Sequence, residues 1–331
     1  MPSDRFSPSG LDHREAGRLP HRTPFQSKTG PHRPAVFVRP CDPKMADSEP
    51  SSQPVLAIAA LALIVPLIGG RFDISVGANL GLCAVVVAAA MSQFQLSLVV
   101  AIALDVAVGA SIGFLNGLLV AFLGVTSIIG TLGVSTILGG IITGYTGGIP
   151  ISNGISPLLT DLSIKVVFGV PVMVLIMLLI AALTWFILTQ APYGRHLTAV
   201  GANQDAARLT GLRVRWIVLL GFVMSGALAG LAAVLQIGSE GNADPSLIGI
   251  TFILPALAAA FLGATTWHPG RYTVQGTIIA LFFLGTTISG LALISTASWV
   301  TDVFNGGAVV FAITLSAQLR RRRTGSTEAG R

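Results

Sequence analysis

Charged residues are scarce in this chain. Only 10% of its 331 residues are charged and 52% are hydrophobic, whereas a soluble domain is about a quarter charged. Such a chain cannot clothe a water-exposed surface. Lysine is rarer still: Lys28, Lys44 and Lys165 are its three copies, and none completes a GxxxxGK[ST] run, so the phosphate-cradling loop of a nucleotide-binding subunit is missing. The two cysteines, Cys41 and Cys83, fall in a polar stretch and an apolar stretch, which excludes a disulfide framework. Cys83 is the small apolar filler that a free thiol usually is. His13, His21 and His32 lack the spacing of metal ligands. The formal net charge of +6 does not signal nucleic acid, because membrane orientation accounts for where the basic residues cluster.

Apolar sequence fills this space. Residues 1–53 form a polar leader that holds nine of the eighteen prolines before residue 51 and shows no helical or strand period, so it is expected to be disordered. It has no apolar core of the kind a secretory signal needs. An over-extended start explains it equally, since Met45 opens a polar run that leads straight into the first apolar segment. Nine apolar segments follow: Pro54–Gly70, Ile74–Met91, Leu96–Leu123, Val125–Tyr145, Val167–Gln190, Trp216–Ile237, Ile250–Thr266, Thr273–Leu293 and Trp299–Leu319. The expected fold is therefore all-α, a polytopic membrane protein of about nine transmembrane helices over residues 54–319, with a basic tail at 320–331. The first, second and seventh segments are short for a crossing of about 20 residues, and are expected to be tilted, broken or partly re-entrant. The fourth carries Gly130, Gly133, Gly139, Gly140 and Gly144 and is expected to break as well.

Between the fifth and sixth segments lies a polar, helix-competent island, YGRHLTAVGANQDAARLTGLRV, from Tyr193 to Val214. With the adjoining Arg215 it carries four arginines against the single acid Asp205, which places it in the cytoplasm. The Arg320–Arg323 tail points the same way and is suited to anionic lipid. Loops Ser92–Gln95, Thr146–Lys165, Gly238–Gly249 and Ile294–Ser298 then face outward. Nine spans would put the leader outside, against its basic residues. An even number of spans would remove that conflict.

Glycines four apart in the third segment, Gly109, Gly113 and Gly117, and Gly226 with Gly230 in the sixth, suit close helix contacts in lipid. Asp105 lies about mid-depth in the third segment, where a carboxylate is costly and often functional. Asn116 falls on nearly the same face. Together they read either as the polar wall of a substrate path or, for Asp105, as a protonated acid hydrogen-bonded inside the bundle. Asp73, just before Ile74 and Ser75, is placed to cap the second segment.

Four blocks now resemble one family. RFDISVGANLGL at Arg71–Leu82, the glycine-rich stretch Gly113–Ile141, TGGIPI at Thr146–Ile151, and the island are similar, in order, to segments of the permease subunits of ABC-type ribose, xylose and galactose importers. In the island the matched positions are Gly194, Arg195, Ala199, Gly201, Asn203, Ala206, Ala207 and Gly211. The resemblance covers Val55 to Leu319. It implies an inner-membrane permease that pairs with a second permease copy, docks cytoplasmic ABC ATP-binding subunits and takes a monosaccharide from an extracytoplasmic binding protein. ATP and magnesium would then be bound by the partner subunit, with no cofactor on this chain. The island would be the coupling helix, with Arg195 and Arg208 adding charge complementarity and Ala206, Ala207 and Gly211 a close fit. Asp73, Ser75, Asp105 and Asn116 are the candidates for the translocation path. The family has about ten spans, and by this alignment its first helix is missing here. Asp105 departs from a family position that is apolar, and His268–Gly270 from a turn of small residues.

Within the resemblance, an autoinducer sugar or another small polar solute remains open as the cargo. Outside it stand an ion-coupled secondary transporter, which would need paired intramembrane charges, and a membrane scaffold that transports nothing.

Overall fold

The computed structural model describes residues 49–167, 169–245, 250–266, 270–294, 300, 303–304, 306–312 and 314. All of these lie in one of the two units into which the chain divides, Pro43–Arg331. The leader before residue 49, the Arg320–Arg323 tail, His268 and most of the ninth apolar segment lie outside the described residues.

The chain is a helical bundle. Its elements are α1 (Glu49–Ile68), α2 (Val76–Ser92), α3 (Leu98–Gly117), α4 (Ser127–Thr146), α5 (Pro157–Ile164), the two-residue strands β1 (Val166–Val167) and β2 (Val170–Pro171), α6 (Val172–Thr189), α7 (Pro192–Ala202), α8 (Gln204–Leu209), α9 (Val214–Glu240), α10 (Ile250–Thr266) and α11 (Val274–Ile294). Five described helices have the length and composition to cross a membrane, and three shorter apolar ones stand at 53–68, 76–92 and 252–266. These match the first eight expected segments.

Two helices form the centre. Every residue of α1 from Ala57 to Val65 is buried, as expected of a helix that is apolar all round. Helix α9 packs against α1, α2 and α3. Its seam with α3 follows from glycine spacing: a Cβ on Gly109 or Gly113 would collide with the backbone of Gly226 or Phe222, and one on Gly226 with that of Gly109. Backbones that approach so closely gain dispersion contacts where lipid offers no hydrophobic drive.

Three expectations about helix continuity are corrected. Helix α4 runs unbroken from Ser127 to Thr146 because its glycines interrupt no hydrogen bond, and among the described residues no neighbour lies within 4 Å of a Cβ built on Gly133, Gly139, Gly140 or Gly144. The fifth span begins at Val172 rather than Val167, since Val166–Val167 pairs antiparallel with Val170–Pro171. An apolar run rich in β-branched residues does not by itself separate strand from helix. Asp73 does not cap α2 directly: its carboxylate accepts from Ser75, one residue ahead of the first helical position.

The two ends of the bundle are told apart by contacts. The Ile68 end of α1 meets Gly201 of α7, whereas Gln53 near its other end meets Gly285 of α11. Away from α7, Gly154 touches Ser92, and Ile151 exchanges backbone hydrogen bonds with Ala243. The 146–165 loop and residues 241–245 therefore share the face opposite the island, and α1 runs from that face towards the island. Cysteines placed at the exposed residues Asn153 and His196 should label with an impermeant maleimide from opposite sides, Asn153→Cys from outside intact cells and His196→Cys only after permeabilisation. Labelling of both from outside would overturn this orientation.

Candidate functional site

The island folds into two short helices clamped to the bundle. Pro192 occupies the first turn of α7, where its missing N–H leaves no unsatisfied group. Gly194, Leu197 and Val200 face inward, and Gly194 lies so close to the Leu188 carbonyl at the end of α6 that any Cβ would overlap it. Tyr193 donates its hydroxyl to the Ile217 carbonyl at 3.2 Å, and burial pushes its phenol pKa up. Asn203 separates the helices. Its side chain accepts from Asp205 N and Ala206 N at 3.0 Å each, an N-cap for α8. Gly211 ends this turn with φ +82° and nothing within 4 Å of a built Cβ, so it serves the backbone, as a left-handed residue after a helix does.

The motif residues thus divide by exposure. Gly194 and Ala207 are buried in this protein's own core. Gly201 fits under the Ile68 carbonyl, which a Cβ would strike. Arg195, Ala206 and Arg208 are exposed. Asp205 and Arg208, 3.6 Å apart and largely exposed, form a pair of little energetic weight, at the α8 ends that suit their signs. Leu209, which the motif does not mark, is 90% exposed. Its signal in the sequence is an apolar residue out of phase with the inward set Leu197, Val200, Ala207 and Leu212.

Directly above this knob the bundle opens its backbone. Between α1 and α2 the chain is irregular from Gly69 to Ser75, which is tolerated in a membrane only when every polar group is satisfied and shielded. Gly70 N and Arg71 N bond to Leu67 O and Pro66 O at 3.0 Å each. Phe72 N and Ile74 N donate to Ser127 Oγ (3.2 Å) and Thr131 Oγ1 (3.0 Å) of α4. Asp73 Oδ1 accepts from Ser75 N at 3.1 Å and Ser75 Oγ at 2.6 Å, and its Oδ2 accepts from Ser225 Oγ of α9 at 3.1 Å. Asn116 Nδ2 of α3 donates to Ser75 Oγ at 2.6 Å. Asp73, Ser75, Asn116 and Ser225 are all buried. One break thus ties α1, α2, α3, α4 and α9 together.

The knob and the break touch. Gly69 lies against Leu197 and Gly70 against Gly201, and Arg71 Nη2 donates to Gln204 Oε1 at 3.1 Å. Arg71 is therefore the polar bridge from α8 to a segment that holds the buried network two residues on. Arg71, Gln204 and Ser225 are site residues that the sequence pattern does not mark. Ser225 had a signal, since a polar side chain deep in a span must find a partner.

Asp105 stands apart from that network. It lies eleven residues before Asn116 on α3, roughly 16 Å along the axis, fully buried, with no hydrogen-bond partner for either carboxylate oxygen. A Cβ on Gly230 of α9 would come within 3.2 Å of its Oδ2. It lies where the glycine seam brings α9 against α3. Among the described residues no cluster of His, Cys, Asp or Glu could hold a metal.

The family model described as "Branched-chain amino acid transport system / permease component" matches residues 51–313. Curated relatives include the Autoinducer 2 import system permease protein LsrD of Yersinia pseudotuberculosis serotype O:3 (strain YPIII), 29% identical over 263 residues, covering 78% of each chain. The protein of the same description from Yersinia pestis (strain Pestoides F) is also 29% identical, with 78% of each chain covered. No solved structure gives a significant match.

Proposed function

The chain belongs to the family of permease components of branched-chain amino acid transport systems, and from that membership we propose that it is the membrane subunit of an ATP-driven importer of a small polyhydroxylated solute, coupled through α7 and α8. It is a multi-pass protein of the inner membrane. The observation that carries the coupling is the direct contact of the cytoplasmic knob with the irregular Gly69–Ser75 segment. Separate ATP-binding subunits dock on the free face of the knob, Arg195, Ala206, Arg208 and Leu209, and their closure on ATP moves it. Packing at Ile68–Gly70 and the Arg71–Gln204 bond carry that movement to Asp73, whose partners on α3 and α9 then shift with it. ATP and magnesium are held by the partner subunit, and an extracytoplasmic binding protein delivers the solute. A second permease copy meets the open face of α4, where no described residue lies within 4 Å of a Cβ built on Gly133, Gly140 or Gly144.

The names of the relatives make autoinducer 2 the first solute to try, with ribose and related monosaccharides beside it. In vesicles rebuilt with the partner subunits and loaded with ATP, uptake of one of these should need both ATP and the binding protein. Uptake of leucine alone would move the cargo to the branched-chain amino acids. Uptake that follows an ion gradient without ATP would overturn the reading.

Asp105 separates the two energy sources further. An ion-coupled transporter would call on the unpartnered buried carboxylate of Asp105, whereas the coupling proposed here runs through Asp73 and does not use Asp105. Asp105→Ala is expected to keep uptake within about twofold and to gain on the order of 1 kcal/mol of stability, since an unsatisfied buried group is removed. Complete loss of uptake at normal protein level would favour ion coupling.

A further inference from the structure

Helix α4 is held on one narrow side. It packs chiefly on α2, through a single stripe of buried residues, Ser127, Thr131, Leu138 and Ile142. Leu138 meets Ala78 of α2 and Ile112 of α3, and at the outward end the Tyr145 hydroxyl donates to Gln93 Oε1 at 2.7 Å. The cytoplasmic half of the stripe is polar and goes to the break. Ser127 Oγ accepts from Phe72 N, and Thr131 Oγ1 accepts from Ile74 N while donating to the Ser127 carbonyl at 2.8 Å. Two residues of extended chain reach about 6.6 Å, and one turn from Ser127 to Thr131 advances about 6 Å, so the two bonds sit in register. They form a clasp that fixes the direction of α4 as well as its position. Before α4 the chain turns at Gly124, with φ +73° and no described residue within 4 Å of a built Cβ, a connection that can pivot without a side-chain clash.

We propose that Ser127 and Thr131 are positioning residues for transport: they hand the movement of the break to α4, whose cytoplasmic half swings about an outward end held by Tyr145. The inference rests on the coupling proposed above and names the helix that this coupling moves. Arg71, bonded to Gln204 of the knob, immediately precedes Phe72, so a shift of the knob reaches the clasp within one residue. The other helices bonded to the break follow less easily. Helices α3 and α9 meet backbone to backbone at Gly109, Gly113 and Gly226, and parting them loses a run of close dispersion contacts. Asn116 and Ser225 can follow Asp73 by turning their side chains. Helix α4 has no such seam. When the break shifts, the two hydroxyls draw the first turns of α4 with it, because leaving two buried N–H groups unpaired costs free energy. The break needs acceptors for its backbone wherever it lies in the membrane. Taking two of them from one lightly packed helix is what makes α4 follow.

The test follows α4 directly, in the permease assembled with its partner subunits, with Cys41 changed to serine and the buried Cys83 left in place. A nitroxide is attached to one cysteine at a time: Leu132→Cys in the cytoplasmic half of α4, Thr143→Cys in its outward half, or His196→Cys on the knob, all at exposed residues. Trapping with ATP and vanadate should shift the spectrum at 196 and at 132 and leave that at 143 unchanged. Ser127→Ala with Thr131→Val should keep the shift at 196, lose it at 132, and lower solute moved per ATP by about tenfold, the size expected of two backbone hydrogen bonds. Ser127→Thr with Thr131→Ser retains both hydroxyls and should restore the shift at 132. A clasp that only holds the fold together would lower the amount of protein and leave the shift at 132 in what remains. That result, or a wild-type complex in which 196 responds and 132 does not, overturns the inference while ATP-driven import stands. A complex that hydrolyses ATP with silent probes at all three positions removes coupling through the knob, and the inference with it.

Discussion

Leu209→Asp is expected to abolish recovery of the ATP-binding subunit with the permease while leaving the permease itself at its normal level in the membrane. Leu209 is 90% exposed at the tip of α8 and contributes nothing to the core, so changing it does not disturb the fold. On a docked partner it becomes the apolar centre of the contact, where full burial of a leucine is worth about 1.5–3 kcal/mol, roughly tenfold to a hundredfold in affinity. A carboxylate there adds a desolvation penalty. Uptake should vanish along with the complex. Normal co-purification of the variant would remove α8 from the interface.

Breaking the bridge above the knob has a different signature. Arg71→Ala and Gln204→Ala should each leave the ATP-binding subunit bound and its basal ATP hydrolysis intact, yet lower solute uptake by about tenfold, since a hydrogen bond to a charged group is worth about 1.5–3 kcal/mol. If the two residues act through each other, the double variant should be no worse than either single one. A structural role alone would lower the amount of protein without changing solute moved per ATP, so that ratio is the quantity to follow. Additive losses at an unchanged ratio would show that Arg71 only stabilises the break.

Most of the architecture could be read from the sequence because span length, charge bias and glycine spacing are local and strong. Gly109, Gly113, Gly117, Gly226 and Gly230 signalled a helix seam, and the seam is the α3–α9 contact. The four blocks of the motif located the knob and the Asp73 segment. The pattern did not say which way a motif residue faces. Ala207 reads as part of a surface fit, yet it lies 4% exposed in the core of this chain, and Ala207→Trp would injure the fold before it tested docking. Asn203 and Gly211 prove to be backbone devices, a cap and a left-handed turn. Nor could spacing show that Arg71 meets Gln204, 133 positions along the chain, or that Ser225 completes the Asp73 network. Such long-range polar pairs leave no local period. The glycines of α4 misled because glycine in lipid signals close approach as readily as a break.

Coupling depends on what the knob touches. A photo-activatable cross-linking amino acid placed at Leu209, in the permease assembled with its partner subunits, tests this most directly. The prediction is a covalent product with the ATP-binding subunit from position 209 and none from Asn153 on the opposite face. Cross-linking from 209 only to lipid or to the permease itself, in a complex that still hydrolyses ATP and transports, would contradict it.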